Sequence, residues 1–89
     1  MEHTNITLKI PKYTKEDGLQ LEWEGDYFIN IKTENNSIVL QANEAGLKSL
    51  AKHLLALSEH GVPDNTHIHF DELNSLELGS QELIIEKIR

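Results

Sequence analysis

The 89-residue chain contains no cysteine. That absence removes disulfides, thiolate zinc sites and cysteine nucleophiles together, and leaves packing alone to hold the fold. Aromatic residues are also few, with one Trp, two Tyr and two Phe. Trp23 is therefore expected in the core beside Leu21, the alternative being that Trp23 and Tyr27 anchor a partner. No stretch approaches the roughly 20 apolar residues of a membrane-crossing helix, and the start, M-E-H-T-N, has neither the basic nor the apolar part of a secretory leader. A soluble, cytoplasmic protein is expected. Basic residues are in deficit as well, eight against fifteen acidic ones, for a formal net charge of -7. Such a chain repels phosphate backbones and anionic lipid, so neither nucleic acid nor membrane is an expected partner. Phosphate-binding glycine loops and a G-x-S-x-G elbow are missing too. The length allows one domain, residues 1–89, with a modest core.

What is present reads mainly as strands. I-T-L-K-I, residues 6–10, alternates apolar and polar positions up to Pro11, and a turn follows at K-E-D-G. L-Q-L-E-W-E then places Leu19, Leu21 and Trp23 on one face, with Glu22 and Glu24 on the other. Gly25-Asp26 closes that strand. Y-F-I-N-I-K-T and S-I-V-L-Q-A flank the turn E-N-N-S, whose asparagines tolerate positive φ. From Leu47 the period changes: Leu47, Leu50, Ala51, Leu54 and Leu57 fall on one helical face. Asn43 stands where an N-cap belongs, Glu44 can pair with Lys48, and Gly61 and Pro63 mark the helix end. Gly46, in the first turn, reads either as a close backbone approach or as a tolerated end position. Two more strands follow, T-H-I-H-F-D and E-L-I-I-E-K-I. The expected fold is thus α+β, in the order β-β-β-β-α-β-β. It is a mostly antiparallel sheet of about five to six strands with one long helix packed on one face. The other face is then open, with Glu22 and Glu24 on it. An unguarded sheet edge would allow weak self-association of an otherwise monomeric chain.

The residues with most chemical promise are in T-H-I-H-F-D-E-L, residues 66–73. On a strand, His67, His69 and Asp71 share one face while Ile68 and Phe70 share the other. Two histidines at this spacing, about 7 Å apart at Cα, can converge on one ion, with Asp71 supplying an oxygen. A catalytic zinc takes three protein ligands, however, and no second motif announces the missing one. His53 and His60 stand about 10 Å apart along the helix, on its polar flank, too far for a helical metal pair. The fuller expectation is a polar strand face turned to solvent or to a partner, with no metal, cofactor or catalytic residue. Glu22 and Glu24 lack the cleft that would push their pKa values apart for acid-base catalysis. Acidic residues cluster at Glu16, Asp17, Glu22, Glu24 and Asp26, and again at Asp71, Glu72, Glu77, Glu82 and Glu86. Such clusters attract a basic partner, and the same charges also serve solubility.

N-E-A-G-L-K-S-L-A-K-H-L-L-A-L (residues 43–57), a short Pro-containing loop, H-I-H-F-D (67–71) and E-L-I-I-E-K (82–87) follow one another in order. Together they resemble a family of bacterial polymorphic-toxin immunity proteins, immunity family thirty-two. The resemblance covers about the C-terminal half. It implies an α+β domain that binds and neutralises a toxin and performs no catalysis of its own. The cognate toxin domain is then the expected partner, itself basic if it is a nuclease. The expected contact residues are His67, His69, Asp71 and Glu72, with Glu22, Glu24 and Asp26. A small metal-binding or metal-dependent protein built on His67 and His69 is the other functional class the residues allow.

Overall fold

The computed structural model describes all 89 residues. Its elements run β1 (Ile29–Glu34), β2 (Ser37–Ala42), α1 (Glu44–Ser58), β3 (His67–Phe70) and β4 (Leu83–Glu86). The chain is α+β, but the expected single sheet of five to six strands is not formed. There are instead two separate antiparallel hairpins, β1–β2 and β3–β4.

Both expected N-terminal strands are absent, for a common reason. Alternation reports which side chains seek burial, whereas a strand also needs a free backbone edge to pair with. The edge of β1 away from β2 is already occupied: Ile29 and Ile31 accept through their carbonyls from the N–H groups of Glu77 and Gln81, at 2.9 and 2.6 Å. Ile31 N–H in turn donates to Ser80 Oγ at 3.2 Å. Residues 6–10 therefore make no backbone hydrogen bond, and Ile6 is 76% exposed. Residues 19–24 do bury the predicted face, since Leu19, Leu21 and Trp23 pack on the core, but without a ladder. Glu24 N–H donates to Ser49 Oγ of α1 at 2.8 Å, where a neighbouring strand would have supplied a carbonyl.

The local signals around the helix are realised. Asn35 and Asn36 adopt φ of 50° and 65° and close the β1–β2 hairpin in two residues. Asn43 caps α1 and ties it to the preceding chain: its Oδ1 accepts from Gly46 N–H at 2.8 Å and from Phe28 N–H at 3.0 Å, and its Nδ2 donates to the Asp26 carbonyl at 2.9 Å. Lys48 reaches Glu44 at 3.0 Å, and that hydrogen bond raises the lysine pKa. Gly46 marks a close approach. A Cβ there would collide with the Phe28 carbonyl oxygen and stand 3.0 Å from Ile29 Cγ1 and 3.1 Å from Ala42 Cβ. At the other end, Lys87 Nζ donates to the carbonyls of Glu59 and Val62, at 2.8 and 2.7 Å. It thereby places a cation at the helix C-terminus, where the macrodipole favours one.

The buried face of α1 differs from the expected one. Gly46, Ser49, His53, Ala56 and Leu57 are buried, whereas Leu47 and Leu54 are 55% and 47% exposed. His53, expected on the polar flank, is 1% exposed. His60 lies beyond the helix, which ends at Ser58. The core joins Ile29 and Ile31 of β1, Leu57 of α1, Ile68 and Phe70 of β3, and Val62 and Leu76 from the loops. Trp23 faces this core as expected, stacked on Tyr27 at 4.5 Å between ring centroids and edge-on to His53 at 4.2 Å.

Candidate functional site

The β3–β4 hairpin turns two faces in opposite directions. Ile68 and Phe70 are buried; His67 and His69 are exposed. The antiparallel register sets His67 opposite Glu86 and His69 opposite Ile84, and the same register continued one pair further brings Asp71 level with Glu82. Cross-strand partners point to the same side. The outer face therefore collects His67, His69, Asp71, Glu82 and Glu86 around Ile84, which is 51% exposed.

Three of these side chains converge. His69 Nε2 lies 3.0 Å from Glu82 Oε2 and 3.7 Å from Asp71 Oδ2. The hydrogen bond to Glu82 raises the His69 pKa, and the charges of Glu82 and Asp71 add to the effect. Asp71 is fixed by its own loop. Its Oδ1 accepts from the N–H groups of Leu73 and Asn74 at 2.9 and 3.1 Å, which leaves Oδ2 for His69. The Asn74 side chain donates to the His69 carbonyl at 3.1 Å. Glu72 turns away from the cluster, its Oε2 accepting from Gly79 N–H at 2.7 Å and bracing the loop between β3 and β4. His67 stays apart, with Nδ1 3.4 Å from the Asn65 carbonyl.

The other expected contact residues do not join this face. Glu22 and Glu24 are not on an open sheet surface; they flank Lys52 of α1, at 3.7 and 3.6 Å. Asp26 occupies a turn with φ of 61°, beneath the N-cap of α1. Glu82 was visible in sequence only as one member of an acidic cluster. Thirteen positions separate it from His69, and only the hairpin register joins them.

Fold and site together describe a small acidic α+β domain that offers an unenclosed polar face, formed by a hairpin whose inner side anchors the core. The family model for Immunity protein 32 matches residues 37–88, from β2 through β4 and more than half of the chain, so the chain belongs to that family. No curated protein and no solved structure matches it.

Proposed function

We propose that this domain neutralises a cognate toxin domain by binding it, without turnover of its own, and that it does so in the cytoplasm. Its family assignment supports an immunity role. The observation that carries the more specific reading is that the matched region contains the β3–β4 hairpin, whose outer face presents carboxylates to solvent from two strands. His67, His69 and Asp71 form the centre of the contact, with Glu72 at its margin. Glu22, Glu24 and Asp26 add to the long-range field, because Glu22 and Glu24 already engage Lys52.

A net charge of -7 suits a basic partner, whose approach it accelerates. Nucleic acid and membranes are repelled by the same charge. The working unit is a monomer, and the outer edge of β2, which makes no backbone hydrogen bond, is the route to a weak homodimer.

The test is co-purification with the toxin domain encoded next to this chain, expressed in a catalytically inactive form. A stable complex at moderate salt is expected, weakened at least tenfold by the double variant His69→Ala, Asp71→Asn. Failure of the two to associate would refute the reading.

A further inference from the structure

We propose that His69, Asp71 and Glu82 form a binding site for a zinc-class divalent metal ion. The inference is independent of toxin binding. Their ligand atoms, one imidazole nitrogen and two carboxylate oxygens, all lie within 4.8 Å of one another. Two of the separations, 3.0 and 3.7 Å, bracket the roughly 3.3 Å between adjacent ligands of a tetrahedral zinc with bonds of about 2.0–2.1 Å. Small side-chain rotations close the remainder.

The third ligand that the His-x-His spacing lacked thus comes from Glu82 at the head of β4, and His67 is not a member. The set is also partly preorganised. Asp71 Oδ1 is held by two backbone N–H groups, so Oδ2 is the free atom and already points at His69. Outer hydrogen bonds of this kind orient ligands in metal sites. The ligands sit at or next to the ends of β3 and β4, which are anchored through Phe70 and Leu83, paired across the ladder.

Ligand chemistry selects among ions. One nitrogen with two oxygens suits zinc or a neighbouring transition ion, whereas calcium takes six to eight oxygens and magnesium keeps most of its water. Three protein ligands leave a fourth position outward, open to water or to a group on another molecule.

Isothermal titration of Zn²⁺ into untagged, chelator-treated protein tests this directly. One ion per chain is expected, with affinity falling at least tenfold in Glu82→Gln and in Asp71→Asn, beyond detection in His69→Ala, and changing less than twofold in His67→Ala. Histidine-detected NMR should show zinc perturbing the His69 ring before those of His3, His60 and His67, and Mg²⁺ or Ca²⁺ at the same concentration should not. His67, His69 and Glu82 are exposed and Asp71 is half-buried, and circular dichroism checks that each variant is folded. Absence of binding overturns the proposal; so does binding that survives in His69→Ala, that is indifferent to Glu82→Gln, or that calcium matches.

Discussion

His53 sits in the core with neither ring nitrogen hydrogen-bonded, edge-on to Trp23 and stacked at 6.2 Å on Phe70. Burial pushes its pKa down to about 4, and the charge of Lys52 adds to the shift. The unfolded chain therefore takes up a proton near pH 6.5 that the folded chain refuses until about pH 4. The stability cost is absent above about pH 7.5 and grows as pH falls, to about 2 kcal/mol by pH 5 and about 3 kcal/mol once both states are protonated. His69 works in the opposite sense. Its raised pKa gives a contribution fully present below the unfolded value and lost as pH rises through the folded one. His53→Phe separates the two histidines. Both nitrogens are orphaned, so the substitution should raise stability at pH 7. Urea denaturation should show the difference between variant and wild type widening by about 2 kcal/mol between pH 7.5 and 5. A constant difference would mean that the folded protein protonates His53 as readily as the unfolded chain does.

At the scale of elements, α1 was legible in its start and N-cap but not in its orientation, and its end falls at Ser58, capped by Glu59, short of the expected Gly61. The leucines define a stripe through Leu47, Leu50, Ala51, Leu54 and Leu57. The buried face is turned from it by about one residue position, roughly 100°. Hydrophobic periodicity weighs a side chain by its apolarity, and this interface selects for smallness and fit. Gly46 admits the Phe28 carbonyl, Ser49 accepts from Glu24 N–H, and His53 fills the space beside Trp23. Leu47 and Leu54 are left exposed, Leu50 packs half-buried against the core, and Leu57 belongs to both faces. β3 was legible down to its inner and outer residues, because four alternating positions admit a single division into faces. Its partner Glu82 was not, because a twelve-residue loop hides the register. The cap offers a quantitative check. Asn43 joins the helix start to residues 26 and 28 as well as to Gly46, so Asn43→Ala should cost about 2 kcal/mol, the upper end for an N-cap. Asn43→Asp keeps the acceptor and loses the donor to Asp26. It should cost about half as much, read as a shift in the urea midpoint at constant slope.

Over the whole molecule, charge is the property most readable from composition, and the fold distributes it unevenly. Lys52 is nearly enclosed, its side chain 12% exposed between Glu22 and Glu24, and Lys87 is spent on the end of α1. Lys52 thereby offsets one of the two charges of Glu22 and Glu24, while Glu82 and Glu86 on the outer face of the β3–β4 hairpin remain exposed. A basic toxin domain should accordingly approach fast and be held by fewer, shorter-range contacts. Stopped-flow association with the inactive toxin domain separates these contributions. The on-rate should fall at least tenfold between 25 and 500 mM salt, since exposed charges are screened within about 10 Å at 0.1 M. Glu22→Lys, Glu24→Lys and Asp26→Lys together should slow association and flatten its salt dependence with little change in the off-rate. Asp71→Asn should chiefly raise the off-rate, because the proposed contact includes its carboxylate. An on-rate indifferent to salt in the wild type would remove electrostatic steering from the account, and equal effects of the two sets of substitutions on the off-rate would place Glu22, Glu24 and Asp26 inside the contact.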